Sequence, residues 1–331
     1  MAKRNILVTG GAGFIGSHLV NRLIDMGHQV TVLDNLKTGS VSNIHNKADF
    51  IEVDLHNQTD FLKIPSDIDK IFHLAAQVSN EASYVDPVLD INSNAFSTLS
   101  LLRWAKENKV SEFIFSSTMG VYSDNLGYPA REDSPIQPKG FYGIHKRAAE
   151  EYVRIFSEEG MKTNILRLFN VYGPGQNMSD LRQGMLSIYM SFIWKNEPVK
   201  VKGPLDRVRD FVYVDDVVDA LVLSGFGRTF GEIYNVCTGR KTTVGEAIDL
   251  IKSAFNVDNN YPIEILDRTS RDIDSSFGSY EKIFEEYGCG PEKPNVAEVP
   301  LCVFAPDIIR KTDFTKSYGA AHRLLNLRIY K

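Results

Sequence analysis

Asn5-Ile-Leu-Val-Thr9 runs directly into Gly10-Gly-Ala-Gly13-Phe-Ile-Gly16, and Ser17-His-Leu-Val-Asn-Arg-Leu-Ile24 follows at once. An apolar, β-branched run breaks into glycines and gives way to an amphipathic helical pattern, which reads as strand, turn, helix. The glycines have separate jobs. Gly10 allows the tight turn, Gly13 lets a pyrophosphate approach the backbone, and Gly16 lets the helix pack close to the strand. A helix opening at Phe14 and Ile15 presents free N–H groups and a partial positive charge to the phosphates. A second apolar run, Gln29-Val-Thr-Val-Leu33, ends in Asp34, eighteen residues after Gly16. A carboxylate at the tip of a second strand takes both ribose hydroxyls of adenosine and repels a 2′-phosphate. The spacing predicts a dinucleotide site that prefers NAD to NADP, with Lys37 as a nearby cation that argues the other way.

At 331 residues the chain exceeds one typical core and suggests roughly two lobes. Apolar content of 43% and charged content of 24% are ordinary for a globular protein in water. A net charge of -5 with no local basic run argues against general binding to nucleic acid or to an acidic membrane. The three cysteines, Cys237, Cys289 and Cys302, are odd in number, far apart and form no CxxC pair. Free thiols in a reducing cytoplasm are expected, without disulfides or a metal site. Lys3-Arg4 precedes an apolar run, but Gly10 breaks it, so the run reads as a strand and not as a signal peptide. No apolar run approaches the length of a membrane span.

Apolar runs alternate with helical patterns through the first half. Strands are expected near 5–9, 29–34, 48–53, 69–74, 111–116 and 163–168, and helices near 14–26, 87–108 and 142–159. That alternation predicts an α/β fold, a Rossmann-type doubly wound parallel sheet. After about residue 170 the rhythm loosens. Gly173-Pro-Gly175 makes a loop and 180–195 a helical stretch. Short strands follow near 198–202 and 211–213, then a helix from Asp215, a strand near 232–236 and a helix over 244–255. The expected division is a dinucleotide-binding domain over 1–170 and a smaller C-terminal substrate-binding lobe over 171–331, with the last ~35 residues unassigned. That lobe would cover the carboxyl ends of the strands, where such folds bind ligands.

Tyr142-Gly-Ile-His-Lys146 opens an amphipathic helix, and i, i+4 spacing puts phenol and ammonium on one face. A nearby cation lowers a tyrosine pKa from roughly 10 toward the working pH, which makes the phenol a general base. Of fourteen tyrosines only Tyr142 has lysine four residues later, a rate that chance would match, so position carries the argument. The fifth strand, Glu112-Phe-Ile-Phe-Ser116, ends in Ser117-Thr118-Met-Gly-Val-Tyr122. A Thr118 hydroxyl at that end can bond both a substrate hydroxyl and Tyr142, while Ser117 is expected to satisfy backbone groups.

With these residues in place the chain resembles the extended short-chain dehydrogenases/reductases that act on nucleotide sugars. The resemblance runs from residue 4 to about 255. It rests on GGAGFIG at 10–16, DNLKTG at 34–39, Asp54-Leu55, HLAA at 73–76, Asn94, SST at 116–118, YGIHK at 142–146, LFNVYGP at 168–174 and RDFVYVDD at 209–216. It implies that Thr118, Tyr142 and Lys146 are catalytic. It implies NAD contacts from Gly10, Gly13, Phe14, Ile15, Gly16, Asp34, Asn35, Asp54, Leu55, Leu74, Ala75, Ala76, Asn94, Ser116, Tyr142, Lys146 and Phe169. Among these, Asp54 and Leu55 border the adenine, Ala75 and Ala76 line the phosphates, and Asn94 organises the site. Asn170 and Arg209 are implied to hold the substrate diphosphate. A guanidinium suits that task; the plainer alternative is an ion pair with Asp210. Arg182 and Arg207 are expected in solvent.

Similar 4,6-dehydratases carry Asp-Glu after the threonine, and similar decarboxylases keep glutamate at the Gly120 position; here Met119-Gly120 can transfer no proton. The expectation is therefore 4-epimerisation of a UDP-activated hexose through a transient 4-keto sugar. A net NADPH-dependent reductase is the runner-up, and a non-catalytic NAD-binding protein the remaining alternative. DNLKTG also resembles UDP-glucose/UDP-galactose 4-epimerases. Helices near 94–108 and 142–159 resemble those that pair family dimers into a four-helix bundle, with Ala148, Ala149, Tyr152, Val153 and Phe156 supplying part of the face or else only covering the sheet. The C-terminal part departs from the pattern. Arg268-Thr-Ser-Arg271-Asp272 has lost the glycine of the family's Arg-x-Gly-Asp, and Tyr287-Gly-Cys-Gly-Pro291 lacks its tryptophan. UDP is the default nucleotide, with dTDP, GDP and CDP open. Aligning Asp272 puts Ser276 where side-chain bulk limits the sugar's 2-substituent, and serine leaves room for N-acetyl.

Overall fold

The structure is a computed structural model that describes residues 2–124, 126–268 and 273–288. Its strands are β1 (Asn5–Thr9), β2 (Gln29–Asp34), β3 (Asp49–Glu52), β4 (Lys70–His73), β5 (Glu112–Thr118), β6 (Lys162–Leu168), β7 (Asn170–Tyr172), β8 (Val199–Lys202), β9 (Val208–Arg209), β10 (Phe211–Tyr213), β11 (Glu232–Val236), β12 (Thr242–Thr243) and β13 (Ile263–Leu266). Its helices are α1 (Phe14–Asp25), α2 (Asn80–Val85), α3 (Pro87–Ile91), α4 (Ser97–Glu107), α5 (Phe141–Glu158), α6 (Met185–Trp194), α7 (Val214–Phe226), α8 (Val244–Phe255) and α9 (Glu281–Tyr287).

Seven strands form one sheet in the order β11-β6-β5-β4-β1-β2-β3, and every pair in it is parallel. Successive side chains of a strand point to opposite faces, and β1 shows what that does here. Ile6 and Val8 pack with Leu19, Val20, Leu23, Val217 and Leu221 of α1 and α7. Leu7 packs on the other face with Leu101, Leu102 and Ala105 of α4 and with Ala149, Val153 and Phe156 of α5. Both faces are covered, which is why the strands read as continuous apolar runs. The expected doubly wound sheet is present. Strand order reverses between β1 and β4, and the carboxyl ends at that switch point open toward the second lobe.

The second lobe has its own core, where Tyr189, Met190 and Ile193 of α6 meet Ala247, Ile248 and Ile251 of α8 over Val199, Val201 and Phe211. Its short pairs are β10-β7, β12-β9 and β13-β8. The chain past 170 is not confined to this lobe, because β11 pairs with β6 at the edge of the large sheet and α7 packs on α1.

Local differences from the sequence expectations have physical causes. The single helix expected over 87–108 is α3, a π-helical turn at Asn92–Phe96, and α4; such bulges re-aim side chains, here Asn94. The helix expected from 180 starts only at Met185, because Gly184 stands at φ 80° before it. Ser117 does not serve the backbone: its hydroxyl donates to Glu150 Oε1 at 2.6 Å. Ala149, Val153 and Phe156 are buried under the sheet and unavailable to a partner, whereas Ile144 and Ile155 of the same helix are exposed. No described helix is long and apolar enough to cross a membrane.

Beneath α5 lies a buried ion pair. Arg167 on β6 holds Glu150 with Nε–Oε1 at 2.9 Å and Nη2–Oε2 at 2.8 Å, each side chain 1% exposed. Its Nη1 reaches the Tyr122 hydroxyl at 2.9 Å and the Glu132 carbonyl at 3.0 Å. Burial alone would raise the Glu150 carboxyl, but the Arg167 bonds and charge outweigh it and hold the group below the usual range. Arg167→Met should cost about 3–5 kcal/mol by stranding a buried carboxylate, while Arg167→Met with Glu150→Leu should recover much of that. Denaturant unfolding midpoints of the two variants check the difference.

Candidate active site

Gly10 sits at φ 72°, its N–H donates to the Leu33 carbonyl at 2.8 Å, and a Cβ there would stand 2.8 Å from the Ala75 amide nitrogen. A Cβ on Gly16 would stand 2.1 Å from the Gly10 carbonyl oxygen, and one on Gly13 3.2 Å from the same atom. The loop is therefore folded onto itself and onto the segment Leu74-Ala75-Ala76 that leaves β4. Phe14 and Ile15 open α1, which has no acidic residue in its first turn and no side chain at its Gly13 cap, so its N–H groups face outward for an anion.

Asp34 is nearly buried at the end of β2. Its Oδ2 accepts from Ala12 N–H at 3.1 Å and its Oδ1 from Leu36 N–H at 2.9 Å. Burial raises its pKa and these backbone bonds oppose the rise. Asn35 accepts from Lys37 N–H at 3.2 Å, while Lys37 Nζ turns away to Asp54 Oδ2 at 3.1 Å. The cation that argued against NAD is thus paired with a carboxylate, and Leu55 lies buried next along the chain. Beneath the loop His73 is fully buried between Thr9 Oγ1 at 2.7 Å and Thr98 Oγ1 at 3.0 Å. Thr98 donates to the Asn94 carbonyl at 2.6 Å and Thr9 Oγ1 accepts from Ala75 N–H at 3.2 Å. The His73 proton therefore belongs on Nε2, and burial holds its pKa down at about 3. The glycine cradle, the capped carboxylate and the anion-ready helix fit a dinucleotide.

Thr118 ends β5, and Tyr142 is the second residue of α5. What brings them together is Gly143, where a Cβ would stand 2.4 Å from the Gly120 carbonyl oxygen. Thr118 Oγ1 accepts from Gly120 N–H at 3.2 Å, which leaves its proton for the phenol of Tyr142. Burial pushes the Tyr142 phenol up to about 12; the Thr118 bond pulls it down and the charge of Asp90 adds to the rise. Lys146, 2% exposed with Nζ 4.2 Å from the centre of the Phe115 ring, is held down at about 7 by burial, against the pull of Glu150 and Asp90. The expectation that Lys146 lowers the phenol is not what these groups deliver: desolvation dominates both members, favouring the neutral phenol and the neutral amine. Asn94 in the π turn donates to the Gln77 carbonyl at 3.0 Å and to Asp90 Oδ1 at 3.1 Å, and its buried Oδ1 has no partner among the described residues. Ser116 donates to the His73 carbonyl at 3.1 Å, and Phe169 is buried behind the cavity described next.

In the second lobe Arg209 is buried, and its guanidinium donates to the carbonyls of Val208, Ile273 and Asp274 at 2.8, 2.7 and 3.1 Å. Asp210 is not its partner. That carboxylate instead accepts from Thr238, Gly239 and Gly278. Asn170 Nδ2 donates to the Asp210 carbonyl at 3.0 Å, beside Arg209. Arg182 is exposed, as expected, and is paired with Asp180. Arg207 is not in solvent: it is buried, with Nε on the Pro204 carbonyl at 3.1 Å, because Gly203 at φ 78° folds the loop back over it. Ser276 is held by its N–H on the Val208 carbonyl at 3.1 Å. Its buried hydroxyl has no partner among the described residues and lines a cavity of about 190 Å³ with Met119, Phe169, Lys241 and Phe277. Arg271, Asp272, Cys289, Pro291, Cys302 and the tail after about 294 lie outside the described residues. Among the described residues no cluster of three or more His, Cys, Asp or Glu could hold a metal.

Sequence reasoning missed Asp90 and His145, which the structure joins at 2.6 Å beside Tyr142 and Lys146. A signal existed: Asp90 precedes Asn94 by four residues, and His145 follows Tyr142 by three.

The model of the NAD dependent epimerase/dehydratase family matches residues 6–237. A putative UDP-glucose 4-epimerase of Methanocaldococcus jannaschii is 38% identical over 250 residues, 75% of this chain and 81% of that protein. The UDP-glucose 4-epimerase of Thermotoga maritima, solved with UDP-glucose, superposes with a TM-score of 0.84 at 37% identity, covering 88% of this chain and 95% of that one. The UDP-glucose 4-epimerase of Thermus thermophilus, solved with NAD, gives 0.83 at 33% identity over 88% and 96%.

The glycine loop yields a direct check. Gly16→Ala must push the Gly10 carbonyl aside, so NAD affinity in calorimetric titration of the NAD-depleted protein should fall by roughly tenfold or more, about 1.4 kcal/mol. Unchanged affinity would mean that NAD does not sit on this loop.

Proposed function

The chain belongs to the NAD-dependent epimerase/dehydratase family, and from that premise we propose that it interconverts a UDP-activated hexose and its 4-epimer through a transient 4-keto sugar. The observation that carries this reading is the close approach of Gly143 to the Gly120 carbonyl, which brings Tyr142 up to the Thr118 end of β5 one helical turn from Lys146, with Met119-Gly120 where a second acid–base pair would have to stand. Asp124 is a carboxylate on the cavity wall, but it is committed to Lys139 and to the Asp274 N–H. With that carboxylate engaged and Met119-Gly120 in place of an acid pair, elimination of water lacks the carboxylic acid and carboxylate it would use at that wall among the described residues. In this reading the keto sugar takes the hydride back.

In the proposed site Gly10, Gly13, Phe14, Ile15 and Gly16 hold the pyrophosphate, Asp34 and Asn35 the adenosine ribose, and Asp54 and Leu55 the adenine. Leu74, Ala75 and Ala76 border the phosphates, with Asn94, Ser116 and Phe169 around the nicotinamide half. Bound there, NAD supplies the hydride acceptor and a positive ring charge. Tyr142, once ionised, takes the proton of the C4 hydroxyl, Thr118 holds that oxygen in line, and Lys146 stabilises the phenolate only in its ammonium form. Asn170 and Arg209 anchor the diphosphate, so the nucleotide stays fixed while the hexose turns over. We assign that lobe chiefly to residues 171 onward. The small Ser276 leaves room for a 2-N-acetyl group, which makes UDP-GlcNAc and UDP-GalNAc candidate substrates beside UDP-Glc and UDP-Gal. A second copy of this chain is the proposed partner of the α4–α5 face, where Phe96, Ile144 and Ile155 are 40%, 48% and 43% exposed.

Incubation with the four UDP-sugars followed by product separation tests the reading. Epimerisation predicts interconversion with no net nicotinamide consumption; stoichiometric NAD(P)H loss would mean a reductase, and a 4-keto-6-deoxy product a dehydratase. Tyr142→Phe should lower kcat by about 10²–10⁴-fold while NAD still titrates. Ser276→Tyr should lower kcat/KM for the N-acetyl sugars more than for the plain hexoses. Equal losses on both would remove Ser276 from the 2-substituent site.

A further inference from the structure

Asp90 on α3 is fully buried beside the proposed catalytic helix, yet the proposed reaction gives it no task. Three donors converge on it. Gln77 Nε2 reaches Oδ1 at 2.5 Å, Asn94 Nδ2 reaches the same oxygen at 3.1 Å, and His145 Nδ1 meets Oδ2 at 2.6 Å. They come from the segment leaving β4, from the π turn, and from α5 between Tyr142 and Lys146. The His145 ring lies against Phe141, with centroids 6.1 Å apart, which fixes its orientation. A carboxylate sealed from water acts on neighbouring charges far more strongly than one in solvent, and this one is held where α3, the π turn and α5 meet.

We propose that Asp90 is a positioning residue that sets the electrostatic field on the Tyr142–Lys146 pair, and that His145 acts as its counter-charge. The inference rests on Tyr142 being the proton acceptor of the proposed reaction. The charge of Asp90 disfavours the phenolate and favours the ammonium, so a proton shared from His145 weakens both effects at once. The other charged groups on the surrounding elements are engaged elsewhere. On α2, Glu81 pairs with Lys202 and the Tyr84 hydroxyl bonds the Lys139 carbonyl. On α3, Asp86 caps Leu89. On α5, Arg147 takes Glu150 and Glu151, and Arg154 takes Glu151 and Glu158. Arg167 on β6 closes on Glu150, Lys162 lies over the Phe230 ring, and Glu112 on β5 pairs with Lys70. His73 of β4 lies between two threonines, and on α4 Arg103, Lys106 and Glu107 are exposed. Glu150 also acts on Lys146, but among the described residues Asp90 is the buried charge that acts on both members of the pair.

The test compares His145→Ala, Asp90→Asn and the double variant by two readouts on the NAD-loaded protein. One is the acid limb of the pH profile of kcat/KM for UDP-sugar epimerisation. The other is tyrosinate difference absorbance against the matching Tyr142→Phe protein, which reports phenol ionisation whatever the substrate. Asp90→Asn should move both midpoints down by about one pH unit and His145→Ala should move them up. In the Asp90→Asn background the His145 replacement should have no further effect. Midpoints that stay put, shifts of the same sign, or a His145 effect undiminished without Asp90 would each overturn the inference. His145→Gln, which keeps a donor without a charge, separates folding from field: restored melting temperature with an unrestored midpoint supports the proposal, and restoration of both overturns it. Loss of all UDP-sugar turnover in the parent protein would sink the proposed function, while the absorbance arm would still judge the pair.

Discussion

The contact on which the site depends is the approach of α5 to the end of β5, where only hydrogen at Gly143 leaves space for the Gly120 carbonyl. A methyl there would push the helix N-terminus away from the strand and part Thr118 from Tyr142. The same approach drives the electrostatics. With Lys146 buried and the phenol partly withdrawn from solvent, the phenol goes up to about 12 and the ammonium down to about 7, both toward neutrality. Pairing at i, i+4 is therefore insufficient by itself to make a base. The phenolate must be favoured by charge brought into this site, and the protein's own contribution is the Thr118 hydroxyl, whose oxygen already accepts from Gly120 N–H.

Much of this was legible in the sequence, for local reasons. The glycine loop, Asp34 and the strand–helix rhythm are read from short windows, and the first six strands fall within two residues of their expected places at both ends. What escaped depends on residues far apart in the chain. Ser117 looked like a backbone-satisfying hydroxyl until Glu150, thirty-three residues on, came within 2.6 Å. Arg207 looked solvated until the left-handed Gly203 turned its loop inward. The stripe Ala149, Val153, Phe156 has a spacing that serves a sheet or a partner helix equally well; burial decided for the sheet. A π turn leaves no periodic trace, so the break inside 87–108 was invisible.

The two lobes divide the labour in a way that suits the proposed turnover. Arg209 is not left to swing: three backbone carbonyls fix its plane. A guanidinium oriented before the ligand arrives loses less side-chain freedom on binding. The cavity by Ser276 has the opposite character, with Met119, Phe169 and Phe277 offering apolar walls and few directed bonds. If Arg209 takes the diphosphate and this cavity the sugar, as proposed, a rigid grip beside a loosely specified space is what a reaction needs when it must present both faces of one ring to the same hydride.

The end of β2 bears on the choice between epimerase and net reductase. A reductase that exchanges NADPH at each turnover needs a cation at the 2′ position. Here Asp34 is anchored by two backbone N–H groups, so its charge is fixed in place. Among the described residues the nearby cation, Lys37, is drawn to Asp54 at 3.1 Å. Freeing Lys37 for a 2′-phosphate would strand Asp54 and bring the phosphate against Asp34, two like-charge penalties for one new ion pair. The same carboxylates that favour NAD thus favour a cofactor reoxidised in place, which the proposed epimerisation requires and a net reductase does not.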